Sequence, residues 1–226
     1  VINIASYIDH TILKPTTTHI EIKKICDEAI QYGFAAVCVP PPVVRLAKEI
    51  LAGHPETKVA TVVGFPFGYS AIKAKLAETE EALSDGADEV DVVINLLALK
   101  NGDWELLERE MKAITEKVHA SGKLVKVIIE SGILHDDEII RCCAIYAPLG
   151  VDFLKTSTGY AEKGATAEAV KLMRQHLPAS VRIKASGGIR DYAFAMELIG
   201  AGADRLGCSG SVDIVKGSSG VGVPGL

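Results

Sequence analysis

No stretch of the 226-residue chain reaches the roughly 18 consecutive apolar residues of a membrane helix, so no membrane span is expected. No basic segment followed by an apolar one opens the chain, and no secretory export is expected. Basic residues are not in excess: 24 Lys and Arg stand against 29 Asp and Glu, a net charge of −5. That balance argues against a nucleic-acid partner. Cysteine is scarce. The five (Cys26, Cys38, Cys142, Cys143, Cys208) form an odd set with no C-x-x-C pair, which points to free thiols in a reducing cytoplasm. The six histidines are scattered without H-E-x-x-H spacing, so no metal site is expected.

What the chain has is alternation. Thr18-His19-Ile20-Glu21 has the form of a capping box, and the helix it opens carries Ile22, Ile25, Cys26 and Ala29 on one face before Gly33. AAVCV (35–39) then reads as a strand, 43–51 as a helix, VATVVG (59–64) as a strand and 70–85 as a helix. EVDVVIN (89–95), LVKVIIE (124–130), DFLKT (152–156), RIKAS (182–186) and DRLGCS (204–209) continue the strands. A helix capped by Asp103 with Trp104, Leu107, Met111, Ile114 and Val118 on one face, and helices at 135–147, 166–177 and 191–201, separate them, and YIDHTIL (7–13) supplies one more strand in front. Gly86-Ala87-Asp88, Gly150-Val151-Asp152 and Gly202-Ala203-Asp204 repeat one junction, in which glycine closes a helix and the chain turns straight into a strand.

Strands apolar on both faces and joined by helices mean a parallel sheet. Eight such units in one chain predict an α/β fold, a single (β/α)₈ TIM barrel over 1–226. An open doubly wound sheet is the rival, but it would usually show G-x-G-x-x-G after its first strand, and YIDHTILKP has none. The Gly-rich segment 217–226 is expected to be a flexible tail.

In a barrel the chemistry lies at the C-terminal ends of the strands. Asp9, His10, Thr11, Cys38, Asp91, Asn95, Lys126, Glu130, Lys155, Lys184 and Cys208-Ser209-Gly210 fall there. Strand side chains alternate, so Lys155, Lys184 and Asp91 can point inward together. Two ammoniums about 6 Å apart, at an effective dielectric near 20, repel by roughly 3 kcal/mol, and burial disfavours their charge further. One amine is then neutral and nucleophilic toward carbonyls. A strand-end lysine more often reaches solvent or pairs with a carboxylate; three such groups together outweigh that reading. Lys126 with Glu130 reads as an interior ion pair, Cys38 and Cys208 as packed thiols, and His10 equally as a structural group or a catalyst. Gly187-Gly188 after the seventh strand and Ser209-Gly210 after the eighth occupy the positions where barrels bind phosphate on backbone N–H groups.

The stretches DHTILKP (9–15), TVVGFPFG (61–68), GADEVDVVIN (86–95), LVKVIIESG (124–132), DFLKTSTG (152–159), IKASGGIRD (183–191) and GCSGS (207–211) resemble, in content and order, the deoxyribose-phosphate aldolases, a family of class I aldolases. The resemblance implies reversible cleavage of 2-deoxy-D-ribose 5-phosphate to acetaldehyde and D-glyceraldehyde 3-phosphate, with no cofactor. It implies Lys155 as the Schiff-base lysine and Asp91 and Lys184 as proton carriers. It implies Gly159, Gly187, Gly188, Ser209 and Gly210 as phosphate contacts, with Asp9, Thr11, Cys38 and Thr158 in support. The expected partners are a sugar phosphate and aldehydes, and the expected assembly a homo-oligomer, dimer or tetramer. Two positions depart: some members end in a terminal tyrosine where this sequence reads Pro224-Gly225-Leu226, and some carry a lysine where it has Tyr160. A different Schiff-base barrel, a barrel isomerase or synthase, and a non-catalytic phosphate-binding barrel remain the other readings.

Overall fold

A computed structural model describes residues 2–219. Eight parallel strands close in sequence order: β1 (Ile8–Thr11), β2 (Ala36–Val39), β3 (Lys58–Val63), β4 (Glu89–Val93), β5 (Leu124–Ile128), β6 (Phe153–Lys155), β7 (Arg182–Ser186) and β8 (Arg205–Cys208), with β8 paired back to β1. The helices are α1 (His19–Tyr32), α2 (Val44–Ile50), α3 (Ile72–Ser84), α4 (Leu96–Lys100), α5 (Trp104–Ala120), α6 (Asp136–Tyr146), α7 (Ala167–His176), α8 (Tyr192–Gly200) and α9 (Ser211–Ser219). The expected barrel is present and the open sheet is excluded.

Local chemistry sets the helix ends. Thr18 and Glu21 form the reciprocal capping box of α1, and Gly33 ends it in the left-handed conformation at φ 70°. Removing such a cap typically costs about 1 kcal/mol. Asp103, Thr166 and Asp191 cap α5, α7 and α8 in the same manner, each accepting from a backbone N–H three residues on. Pro41 starts a short 3₁₀ turn, so α2 begins at Val44.

Outward-facing strand residues build the main core against the helices. Ile8, Val37, Val39, Val59, Val63, Val90, Val92, Val125, Val127, Leu154, Ile183 and Leu206 all belong to it. It is joined by the inner stripes of the helices, such as Leu107, Met111, Ile114 and Val118 of α5. The barrel interior is different. A small apolar group of Cys38, Ala60 and Val62 fills the β2–β3 side, and buried charge with the ring of Phe153 fills the rest. The apolar frame therefore lies outside the strands, and the space within them is free to be polar.

The repeated Gly-x-Asp junctions prove to be latches at the N-terminal rim. The carboxylate of Asp88 accepts from the backbone N–H of Val59 at 3.0 Å, that of Asp152 from Val125 at 2.9 Å, and that of Asp204 from Ile183 at 2.8 Å. Each ties the residue before an even-numbered strand to the odd-numbered strand beside it.

Two expectations need correction. The helix α4 and most of the helix α9 lie in stretches to which the sequence pattern assigned no element. Residues 217–219 belong to α9, because the apolar pair Ile214 and Val215 packs that helix on the core; they are therefore not tail. The remainder of the expected tail, 220–226, lies outside the described residues.

Candidate active site

The site is built from the inward residues of six strands. Register places Asp91 beside Lys126, and Lys155 beside Lys184. The Asp91 carboxylate is the hub. Its Oδ2 accepts from Lys155 Nζ at 2.7 Å and from Lys184 Nζ at 2.8 Å, and its Oδ1 accepts from Lys126 Nζ at 2.7 Å. Lys184 also donates to Asp9. Arg205 lies 2.6 Å from Asp9 and 3.5 Å from Glu89, and Lys126 lies 2.5 Å from Glu89. Burial opposes the charge of Asp91, but Lys126, Lys155 and Lys184 outweigh it and hold the carboxyl well below its usual range. Burial likewise opposes the charge of Lys184, and Asp9 and Asp91 outweigh it, so this lysine lies above the ordinary range. Lys155 goes the other way. Its burial is the largest cause, Asp91 resists, and Lys184 adds like-charge repulsion, so its amine is easier to deprotonate than an ordinary lysine.

Access separates the lysines. Lys155 keeps 3% of its surface, whereas Lys126 and Lys184 keep none. Lys155 reaches the floor of a cavity of about 640 Å³ that opens at the C-terminal face. Thr158, Gly159, Gly187, Gly188, Ser209 and Tyr160 line its walls, and Lys14, Lys24 and Arg190 stand at its rim beside Glu21 and Glu28. Gly187 sits at φ 87° with the Cα of Gly164 3.0 Å from where a Cβ would be, so only glycine lets these loops meet. Glu130, at φ 55°, is the one non-glycine residue among the described residues held in the left-handed conformation. Its carboxylate accepts from the backbone N–H and the hydroxyl of Thr158 and so fixes the 156–159 segment. Burial pushes the Glu130 carboxyl up. Tyr160 donates its hydroxyl to the Leu13 carbonyl at 2.8 Å and meets the Phe65 ring edge-on, which closes one side of the mouth.

The profile of the DeoC/LacD family aldolases matches residues 3–220. The chain belongs to that family. A deoxyribose-phosphate aldolase of Thermococcus gammatolerans is 49% identical over 96% of both chains. One from Bacillus cereus is 50% identical over 94% of this chain and 95% of its own. Among solved structures, a deoxyribose-phosphate aldolase from Aeropyrum pernix, described as tetrameric, superposes with a TM-score of 0.87 at 32% identity, covering 97% of this chain and 92% of that one.

In this DeoC/LacD aldolase the expected residues Asp91, Lys155 and Lys184 are brought together, with Asp9 bonded to Lys184. Gly159, Gly187, Gly188, Ser209, Thr11 and Thr158 line the cavity, whereas Gly210 does not. The expected Lys126–Glu130 pair is absent. β5 ends at Ile128 and Glu130 lies beyond it in the left-handed conformation, so Lys126 pairs with Asp91 and Glu89 and Glu130 turns to Thr158. Asn95 caps α4, and its side chain accepts from the Ala98 N–H. His10 bridges Ser211 and Glu28, each at 2.8 Å, which is a bracing role between β1, α1 and α9. Cys38 is a buried thiol whose pKa burial raises. The sequence reading passed over Glu89, Arg205 and Gly207. Alternation could have found the first, two residues before Asp91. The glycine is required because a Cβ there would lie 2.9 Å from Lys184 Cε.

Proposed function

We propose that this chain reversibly cleaves 2-deoxy-D-ribose 5-phosphate to acetaldehyde and D-glyceraldehyde 3-phosphate through an imine on Lys155. The observation that carries this reading is one buried, easily deprotonated lysine at the floor of a cavity, hydrogen-bonded to a carboxylate that two other lysines share. The neutral amine adds to the aldehyde carbon C1 of the open-chain sugar, and loss of water gives an iminium. The C3 hydroxyl gives up its proton as the C2–C3 bond breaks. The bonding pair flows into the iminium and forms an enamine, while C3 leaves as the aldehyde of glyceraldehyde 3-phosphate. C2 of the enamine then takes a proton, and water releases acetaldehyde. Asp91, whose Oδ2 accepts from both Lys155 and Lys184, carries protons together with Lys184 between solvent and the reacting carbons. The chemistry runs on amine and carboxylate groups and calls on no metal or organic cofactor.

The phosphate is read onto the walls at Gly159, Gly187, Gly188 and Ser209, with Arg190, Lys14 and Lys24 supplying positive charge. Replacing Ser209 with Glu sets a carboxylate in that place. KM for the phosphorylated sugar should rise far more than KM for unphosphorylated deoxyribose; equal losses would remove the phosphate from this wall. Five free, buried cysteines fit a cytoplasmic setting. A homo-oligomer fits the tetrameric relative, and sedimentation would read its size.

Reduction with borohydride in the presence of acetaldehyde tests the central claim. An ethyl group should appear on Lys155 by mass spectrometry. An adduct confined to Lys126 or Lys184 would overturn the assignment.

A further inference from the structure

The barrel interior holds one bonded network of ionisable groups, and its charges can be counted. Asp9, Glu89 and Asp91 bring three negative charges; Lys126, Lys184 and Arg205 bring three positive ones. Lys155 is the seventh member. With Lys155 neutral the network sums to zero, and with Lys155 charged it carries one uncompensated positive charge. An uncompensated charge away from water is costly, and all of these groups except the partly exposed Arg205 are almost wholly enclosed. The pairing is uneven in the same sense. Lys126 lies within 4 Å of three carboxylates, Lys184 and Arg205 of two each, and Lys155 of Asp91 alone among the described residues.

We propose that Glu89, Lys126 and Arg205, which lie below the reacting amine and touch no substrate, set the charge balance that makes Lys155 the amine of the network that gives up its proton. This rests on Lys155 being the imine-forming residue. It extends beyond that reading, because it gives a function to three side chains with no route to the cavity. Phe153 strengthens the arrangement from below: its buried ring centroid lies 3.9 Å from the Arg182 guanidinium, 5.5 Å from the Arg205 guanidinium and 5.8 Å from Lys126 Nζ, so a cation-attracting face meets the network on the side away from the cavity.

The ionisable groups that share the interior with Lys155 come from every other strand but β3. They are Asp9 on β1, the Cys38 thiol on β2, Glu89 and Asp91 on β4, Lys126 on β5 and Glu130 beyond it, Lys184 on β7 and Arg205 on β8. The β3 side presents only Ala60 and Val62. Glu130 is engaged by Thr158 at the mouth and is left unchanged by the test.

The network predicts shifts of opposite sign. Glu89→Gln deletes a negative charge, leaves excess positive charge, and should move the midpoint of imine formation against pH to the acid side. Lys126→Gln deletes a positive charge and should move it to the alkaline side. A unit charge about 8 Å away at an effective dielectric near 20 is worth about tenfold or more in the imine formed at a fixed pH on the rising limb. The double variant should return near the wild-type midpoint. The measurement is borohydride-trapped acetaldehyde on Lys155, by mass spectrometry, across pH. If wild-type protein gave no Lys155 adduct, the imine reading itself would fail. If the adduct formed but the two single variants moved the midpoint in the same direction, or not at all, the charge-balance role would fall while the imine reading stood. A purely structural role lowers the trapped amount and leaves the midpoint where it was. Should Lys126→Gln not fold, Arg205→Gln replaces it. That side chain is partly exposed, and its loss should also move the midpoint to the alkaline side.

Discussion

A methyl group on residue 207 would sit 2.9 Å from Lys184 Cε and 3.0 Å from the Cβ of Ser186. Neither neighbour has room to retreat, because Lys184 is tied to Asp9 and Asp91 and the Ser186 hydroxyl donates to the Ser157 carbonyl. Gly207→Ala should therefore displace the lysine by a fraction of an ångström. A loss of about a hundredfold in kcat is expected, with about 1–3 kcal/mol of stability. Steady-state kinetics beside a denaturant melt would check this, and unchanged kcat would mean that Lys184 tolerates the shift. At this scale the sequence was legible for Lys155, Asp91 and Lys184, because alternation in short strands decides which side chains share the interior. It was not legible for Lys126, whose partner depended on how far Glu130 lies beyond the end of β5, nor for Gly207, whose need appears only when a neighbouring strand brings Lys184 across it.

Between elements, Lys75 of α3 and Glu110 of α5 form a buried ion pair at 2.9 Å, and Lys75 Nζ also donates to the Val93 carbonyl at the end of β4. Burial pushes Lys75 down and Glu110 up, and one oxygen of Glu110 has no hydrogen-bond partner. Such a pair fixes two helices relative to a strand more than it stabilises them. Lys75→Met or Glu110→Leu alone should cost about 3–5 kcal/mol, since each strands a buried charge, while the double variant should be close to the wild type or above it. A double-mutant cycle by chemical denaturation measures the coupling, and additive losses would refute it. Helix ends were the most readable elements, because Thr18, Asp103, Thr166 and Asp191 bond within four residues of themselves. The short α4 was hidden: five residues, LLALK, carry too few turns to show a periodicity, and Asn95 as its cap reads equally well as a strand end.

For the molecule as a whole, the interior charges set a pH window. Asp9 and Asp91 are held below their ordinary range in the folded state, so the stability they contribute is present above about pH 3.8 and is lost as pH falls. Lys126 and Lys184 are held above theirs, so their contribution is complete below pH 10.5 and is lost as pH climbs past it. Lys155 has the opposite sign to the other lysines: its unfolded form takes a proton more readily than its folded form, a cost that disappears as pH rises toward 10.5. Tm measured across pH should show a broad plateau, with an acid collapse that Asp91→Asn removes in part. A plateau unaltered by that substitution would mean that the interior carboxylates do not govern acid unfolding. The barrel was readable from eight alternating units because closure follows from counting strands. The charge network was not, because it joins residues from β1, β4, β5, β6, β7 and β8, and no one stretch of sequence holds more than two of them.

The three aspartate latches at the N-terminal rim give the barrel a grain. Each binds an even strand back to the odd strand before it, across β3–β4, β5–β6 and β7–β8, and among the described residues no latch of this kind crosses from an even strand to the next odd one. Three two-strand modules, β3–β4, β5–β6 and β7–β8, are latched in this way, and the seams run between them. A circular permutant opened at a seam, before β5 or β7, keeps every latch inside a continuous stretch of chain, whereas one opened before β6 or β8 leaves a latch to be closed between the new ends. Permutants cut at seams should refold faster and more completely than those cut within modules, as the same rim that holds the strands in register also dictates where the ring can be broken.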